Sequence, residues 1–474
     1  MAFSLILLFP FAVSIYLDDG AAQYFLLPAG ISFSSGAVLT LLCFPFRATM
    51  RRREGIFLVF LAWISLAVIG SLPIYFAEQL IQENFSFANA VFEGMSGLTT
   101  TGASVINEVE ALPMSVNIWR HSLLWFGGMG ILLLAVAILP LFNVGGRELM
   151  NSEMPGPLKD EKLTPRIAST AKMLYGIYFV ASVLCFISYR VAGLSWFDAW
   201  CQAASTMALG GFSSFNHSFQ SINNQAAEAV AVIFMLFAGI NFATHFKVLK
   251  YRDLRHYAYC PEALPFLKLV LGSGLLISTY LYLSNEYETW FEALRYGVFN
   301  TVSVATTTGF ASTDYLAWPF VVPVFLLALG SFASSGGSTG GGIKLIRVLL
   351  VFRQIRVEML RLLHPRGVFP VRFKTVVVSN SVLLSVMMFI AMYFMTVMVV
   401  FVLLAFGGAD EIEAFSAAVA LVGNIGPGLG GVGPMSNYAH FNDFQLWIGS
   451  AAMLIGRLEL LTVFVIFTPH FWRR

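Results

Sequence analysis

Charged residues are scarce in this sequence, at 11% of its 474 residues, whereas soluble domains carry about a quarter. A chain with so few charges cannot cover a surface that faces water, which excludes a soluble globular protein. Hydrophobic residues make up 58% of the chain and include 45 phenylalanines. Since its apolar stretches reach the ~20 residues that a helix needs to cross a bilayer, the composition indicates an integral membrane protein built from helices.

Cysteine and catalytic motifs are also sparse. The four cysteines are scattered, with no CxxC or paired Cys/His spacing, so we expect neither a disulfide framework nor a zinc site. The seven histidines are dispersed, and the chain has no HExxH or GxSxG motif, which argues against an enzyme and against a cofactor held by this chain. A net charge of +2 is too small to suggest a nucleic-acid partner.

Hydropathy divides the chain into ten predicted membrane spans and four shorter, half-polar segments. The first apolar run, MAFSLILLFPFAV, has no basic region and no small-residue cleavage site, so we expect it to be retained as a helix. The shorter segments are too short to cross and are interpreted as re-entrant; they are 86–104, 196–213, 290–311 and 411–430. The predicted spans are 2–17, 24–46, 56–77, 118–142, 168–193, 226–249, 264–284, 318–350, 376–406 and 445–467.

Basic residues are distributed asymmetrically over this pattern. With both termini placed in the cytoplasm, 24 of the 28 lysines and arginines fall in inner segments, as the positive-inside rule requires. The four exceptions are Arg120, Arg190, Arg295 and Arg457. The same orientation places all four re-entrant segments on the outer side. There 18 of the 26 acidic residues, Glu93 among them, are outside or embedded and would attract cations.

A unit of span, short segment, glycine and span occurs four times, after an extra pair of N-terminal helices. The intervals between the aligned glycines are 109, 98 and 117 residues, and six residues before each glycine are Ser96, Ser205, Ser303 and Ala420. Such an internal repeat predicts four similar units around one pseudo-fourfold axis in an all-α polytopic membrane protein. The predicted units are 1–46 for the extra helix pair, then 47–142, 143–252, 253–352 (with an interrupted second helix) and 353–474 for the four pore repeats.

Each short segment ends in a tetrad that closes on the aligned glycine, and two of these tetrads read TTTG. A helix that enters from outside and unwinds there points its partly negative C-terminal end at the membrane centre and presents carbonyls and hydroxyls to a water-filled path. Four such segments would form rings of oxygens that replace the water around a cation. Because the tetrads contain no carboxylate, a weakly hydrated monovalent ion is favoured over Mg²⁺ or Ca²⁺. The predicted filter residues are Thr99, Thr100, Thr101 and Gly102; Ala208, Leu209, Gly210 and Gly211; Thr306, Thr307, Thr308 and Gly309; and Gly423, Asn424, Ile425 and Gly426.

The eighth predicted span contains ten consecutive small residues, 333–342, of which five are glycine. Each glycine costs ~1 kcal/mol relative to alanine in a helix interior, so the span should split around a mobile loop below the oxygen rings. We interpret this loop as a gate, and the alternative is close helix packing through small residues. The predicted gate residues in the loop are Ser335, Gly336, Gly337, Ser338, Thr339, Gly340, Gly341 and Gly342.

Arg457 lies in the middle of the last predicted span. Charges at that depth are costly and usually face an interior or a cavity. We expect Arg457 to face the pore and to belong to the gate. The alternative is a structural ion pair with an embedded acid such as Glu459.

Motifs spread over nearly the whole chain resemble those of a known family. They are LTTTGAS, LWFGGMGILLLAVAILP, MPGPLKDEKLTPRIA, STMALGGFSS, TTTGFAST, GSTGGGIK, HPR, NIGPGLG and GRLEL with TPHFWRR. In these motifs the chain resembles the TrkH family of bacterial Trk-type potassium uptake systems, within the Trk/Ktr/HKT superfamily. The resemblance implies a potassium pathway with its selectivity filter at the four tetrads, and a gate formed by the 333–342 loop and Arg457. K⁺ would then be the ion that is bound and transported.

The resemblance also implies a cellular setting. It implies a protein of the bacterial inner membrane that forms homodimers and docks a cytoplasmic, nucleotide-binding regulatory ring of the TrkA type. The basic inner segments, above all 344–374, are the expected docking face. The alternative to a pore is a secondary transporter, a symporter with H⁺ or Na⁺ coupling that works by alternating access. Repeats of that class tend to be inverted, whereas the repeats here run in the same direction, which favours a pore.

Overall fold

A computed structural model describes residues 1–44, 51–82, 84–137, 163–373 and 376–473. The described chain is helical apart from one antiparallel pair of two-residue strands, β1 (Arg372–Phe373) and β2 (Val376–Val377). The predicted spans 24–46 and 118–142 and the motif MPGPLKDEKLTPRIA extend outside the described residues. The N-terminal helix pair is α1 (Ala2–Leu17) and α2 (Ala22–Cys43), joined by a short turn.

The first two repeats follow the predicted order of long helix, short helix and long helix. In each repeat a serine at the N-cap accepts a hydrogen bond from the third backbone amide of the short helix, Ser86 from Asn89 and Ser195 from Asp198. Such caps begin helices because they satisfy amides that have no partner within the helix. The helices are α3 (Arg52–Glu78), α4 (Phe87–Leu98) and α5 (Met114–Ala137), then α6 (Leu163–Val191), α7 (Trp196–Ala208), α8 (Ser218–Ile222), α9 (Gln225–Gly239), α10 (Phe242–Tyr251) and α11 (Arg255–Tyr259).

The third and fourth repeats keep the same order. Thr289 caps the short helix of the third repeat through the amide of Glu292, and this helix is 16 residues long, against 12, 13 and 13 for the other three. The helices are α12 (Ala263–Leu283), α13 (Trp290–Ala305), α14 (Val321–Gly330) and α15 (Leu345–Leu363), then α16 (Asn380–Phe406), α17 (Glu411–Gly423), α18 (Asp443–Arg457), α19 (Leu460–Ile466) and α20 (Pro469–Trp472).

Five described helices are long and apolar enough to cross a membrane, and seven if two bent pairs are each counted as one span. The predicted spans 226–249 and 445–467 are not continuous helices. Helices α9 and α10 meet at 92°, and α18 and α19 meet at 112°. At the first break the side chain of Asn241 accepts from the amide of Ala243 and starts a new helix. At the second, Glu459 has a left-handed backbone with φ 64°, which ends a right-handed helix.

The short helices α4, α7, α13 and α17 form the interior of the molecule. In α4 ten of the eleven residues 88–98 are buried, and α17 is buried almost throughout. The long helices instead expose large apolar side chains, such as Leu384, Met395 and Phe406 on α16. Since exposed apolar residues of this number suit lipid rather than water, the fold surrounds four short helices with a lipid-facing layer.

Candidate ion-binding site

The four predicted tetrads share one backbone conformation. In each, the residue two positions before the aligned glycine has a left-handed φ between 52° and 61°, and the glycine itself has a φ between 71° and 96°. Left-handed residues other than glycine are uncommon and cost of order 1–3 kcal/mol, so they persist where the surroundings impose them. The left-handed residues are Thr100, Leu209, Thr307 and Asn424, and the glycines are Gly102, Gly211, Gly309 and Gly426.

Each tetrad is also bonded to its own short helix in the same way. The residue immediately before the glycine donates its amide to the carbonyl of the residue six positions before the glycine, at 2.8–3.1 Å. The aligned serines of the sequence therefore mark the position of a backbone acceptor at the helix end. The bonds are Thr101 to Ser96, Gly210 to Ser205, Thr308 to Ser303 and Ile425 to Ala420.

The four glycines come together around one line. A Cβ atom added to any of them would collide with the carbonyl oxygen one position before the glycine of the next repeat. The contacts run from the first repeat to the second, third and fourth and back to the first, so the tetrads form a closed ring. The facing pairs are Gly102 with Gly210, Gly211 with Thr308, Gly309 with Ile425 and Gly426 with Thr101.

The threonines of the two TTTG tetrads are fully buried, and the polar groups of their side chains are hydroxyl oxygens. The hydroxyls of Thr99 and Thr101 are 2.7 Å apart, as are those of Thr306 and Thr308. Asn424 crosses from the fourth tetrad to the first, where its amide donates to the Thr101 hydroxyl at 2.9 Å. Among the residues that the structure describes, no group of three His, Cys, Asp or Glu is placed to hold a metal. The donor set therefore suits a monovalent cation bound by carbonyl and hydroxyl oxygens.

Behind the ring, each short helix holds the chain that follows its glycine, a feature that the sequence analysis missed. Glu93 accepts from the amide of Val105 at 2.9 Å, Gln202 donates to the Ser213 hydroxyl at 3.0 Å, and Asn300 exchanges bonds with Ser312. These three residues lie nine positions before the glycine in their repeats. A polar residue at the same aligned position in three repeats is a sequence signal that could have identified them. In the fourth repeat Ser416, ten positions before the glycine, accepts from the amide of Leu429.

Glu93 makes a buried ion pair rather than adding charge to the outer mouth. Its carboxylate accepts from Arg120 at 2.6 and 3.0 Å, and both side chains are almost fully buried. The guanidinium of Arg120 also lies 4.4 Å from the ring centre of Phe212, which follows the second glycine. The expectation that Glu93 attracts cations is therefore wrong, because Arg120 neutralises it. The contact of Arg120 with Phe212 links the first two repeats instead.

The small-residue run 333–342 is not helical and separates α14 from α15. The Gly341 amide donates to the Thr307 hydroxyl at 2.8 Å, and the Thr339 hydroxyl donates to the Met207 carbonyl at 3.0 Å. A Cβ atom on Gly341 would also strike the carbonyl of Gly423. The loop therefore lies directly against the C-terminal ends of three of the four short helices.

Arg457 lies beside this loop. A cavity is lined by Gly337, Gly340, Asn424 and Arg457, with further loop residues and Lys344 around it. Within the described part of the chain, none of the three guanidinium nitrogens of Arg457 has a hydrogen-bond partner, although they are buried. The alternative pairing of Arg457 with Glu459 is not formed, because Glu459 binds Arg347 at 2.6 Å.

Four short buried helices arranged around one line of oxygens, inside a layer of lipid-facing helices, define a polytopic membrane transport protein. The family described as TrkH, cation transport protein, matches residues 23–276 and 291–474. The chain belongs to this family.

Relatives and a solved structure agree over the full length. The Trk system potassium uptake protein TrkH of Halomonas elongata is 40% identical, covering 100% of this chain and 97% of the relative. TrkH of Escherichia coli K12 is 37% identical, covering 99% and 96%. The crystal structure of the potassium transporter TrkH from Vibrio parahaemolyticus matches with a TM-score of 0.90 and 35% identity, covering 100% of this chain and 97% of that chain.

Proposed function

We propose that this chain carries K⁺ across the bacterial inner membrane through a gated, channel-like pore. The observation that carries the proposal is the closed ring of contacts between the four glycines and the carbonyls of the next repeat. It brings oxygen-bearing backbone from four re-entrant segments to one line, where a dehydrated K⁺ can be coordinated. The choice of ion is supported by the relatives, which are named potassium uptake proteins, and by the matching structure, which is of a potassium transporter.

The gate in this proposal is the 333–342 loop together with Arg457. The loop lies against the inner ends of three short helices, which is where a barrier would block the path. Beside it lies the buried guanidinium of Arg457, whose nitrogens bond no residue that the structure describes, and this charge would repel cations at the same level. We propose that the working protein is a homodimer with both termini in the cytoplasm, regulated by a nucleotide-binding ring of the TrkA type.

The first test is growth of a potassium-uptake-deficient bacterium at low K⁺. We expect the chain to restore growth, and no growth despite membrane-inserted protein would contradict the proposal. The second test is the reversal potential of the purified chain in a bilayer under opposed K⁺ and Na⁺ gradients. A potential near the K⁺ equilibrium value supports a pore, whereas a potential that shifts with an imposed proton or sodium gradient supports the coupled transporter.

A further inference from the structure

Glu262 contacts both ends of the gate loop. Its carboxylate oxygens each accept from the Gly336 amide at 3.1 Å, near the start of the loop. The oxygen Oε1 also accepts from the Ile346 amide at 2.9 Å, just after the loop and in the first turn of α15. One side chain, only 4% exposed, therefore joins two backbone segments ten residues apart.

Glu262 belongs to a basic corner of the fold, residues 240–262, which contains Lys247, Lys250, Arg252 and Arg255. The same corner bonds the loop at a second point, since the Phe242 amide donates to the Gly337 carbonyl at 3.1 Å. Within the corner, the ring of His245 bonds the Tyr257 hydroxyl at 2.8 Å. It also bonds the carbonyl of Phe237 at 2.9 Å, which ties the corner to α9. The corner is thus a tied unit in contact with the loop on two sides.

We propose that Glu262 is the positioning residue of the gate loop, which it holds in the blocking arrangement by joining the loop ends to the basic corner. The gating part of this inference rests on the proposed function, whereas the positioning part rests on the hydrogen bonds alone. A displacement of the corner would move Glu262 and, through its hydrogen bonds, Gly336 and Ile346. A conformational change at the corner would therefore be transmitted to the loop.

The carboxyl group is suited to a conservative replacement. Burial raises the pKa of Glu262 to about 7, although the amides of Gly336 and Ile346 and the charges of Lys344 and Arg347 act to lower it. A neutral glutamine keeps the oxygen that accepts from both amides. Glu262→Gln should therefore preserve the attachment, whereas Glu262→Ala removes every acceptor.

The test is amide hydrogen exchange of the purified full-length chain, followed in peptides that cover 333–346. Loss of these buried bonds should speed exchange there by about tenfold or more in Glu262→Ala, while Glu262→Gln stays within about threefold of the parent chain. Glu228→Ala is the matched control, because it breaks another buried carboxylate contact, to Arg295, away from the loop. If Glu262→Ala does not fold, Glu262→Asp, whose shorter side chain cannot reach both amides, should show the faster exchange.

K⁺ efflux from liposomes separates the two parts of the inference. Faster loop exchange with raised basal efflux supports both the positioning role and the gate. Faster exchange with unchanged efflux supports the positioning role and contradicts the gate. Unchanged exchange in a folded Glu262→Ala or Glu262→Asp chain, or equal acceleration in Glu228→Ala, overturns the proposal.

Discussion

Single residues of the ring adopt backbone conformations that the sequence signals only in part. The glycines aligned in sequence, and all four have positive φ. The left-handed residues before them did not stand out, because Thr100, Leu209 and Thr307 are types that avoid this region. Their conformation is imposed by the helix end on one side and the neighbouring repeat on the other, and sequence periodicity does not record such contacts.

Gly102→Ser should reduce the discrimination between K⁺ and Na⁺. Gly102 has φ 78°, and a Cβ there meets the Gly210 carbonyl, so the ring must shift by an amount that costs about 1–3 kcal/mol. We expect selectivity, measured as the reversal potential in a bilayer, to fall about tenfold. Gly20→Ser is the control, since Gly20 has φ 73° but no atom within 4 Å of the added carbon. Equal selectivity in both variants would contradict the filter assignment.

Substitutions of Glu93 can separate the effect of its ion pair with Arg120 from that of its attachment to the Val105 amide behind the ring. Glu93→Gln keeps an oxygen for the Val105 amide but leaves Arg120 buried without its partner, which should cost about 3–5 kcal/mol of stability. Glu93→Ala loses both contacts. We expect both variants to melt at lower temperature, but only Glu93→Ala to lose K⁺ selectivity. Loss of selectivity in Glu93→Gln as well would show that the attachment is not the determinant.

At the scale of elements, the short helices and the split third-repeat span were predictable and the bends were not. Short, half-polar segments ending in glycine indicated α4, α7, α13 and α17 within a few residues, and five glycines in ten residues indicated the loop. The bend at Asn241 occurs in an apolar run without proline. Its cause is a capping bond and a contact with Gly337 of the loop, and the second of these is visible only in three dimensions.

Deleting residues 335–341 should raise the K⁺ leak of the resting protein. The deletion removes the bonds to Met207 and Thr307 that hold the proposed gate loop against the ring. A milder variant, Thr339→Val, removes only the bond to Met207. Its control is Thr279→Val, which loses a hydroxyl on the exposed side of α12. Efflux from liposomes provides the measurement. Lower flux in a well-folded deletion variant, with no rise in Thr339→Val, would exclude the gate.

At the scale of the molecule, the sequence predicted four units around an axis but not how they interlock. The order of neighbours follows from contacts between distant residues, such as Gly426 with Thr101. The same is true of the third repeat's loop, which reaches the ends of the second and fourth short helices. The unit boundaries stay predictions, as do the ten crossings and the orientation in the membrane.

Arg457→Ala tests a contact between repeats, since the fourth repeat supplies the arginine and the third supplies the loop. Removing the charge of this buried guanidinium should raise basal conductance about tenfold, a barrier change of about 1.4 kcal/mol. Arg457→Lys keeps the charge and should leave conductance low. Arg190→Ala, at a guanidinium that bonds the Leu194 carbonyl near the protein surface, controls for the loss of an arginine. Loss of folding without any rise in conductance would favour a structural role.

The order of repeats around the axis has a consequence for symmetry. Because the first tetrad borders the second and fourth, the two threonine-rich tetrads lie diagonally across from each other, and so do the two that lack threonine. An ion bound on the axis, as proposed, would therefore meet threonines in two opposite quadrants and none in the other two. A single polypeptide can vary its quadrants independently in this way, whereas an assembly of four identical subunits cannot.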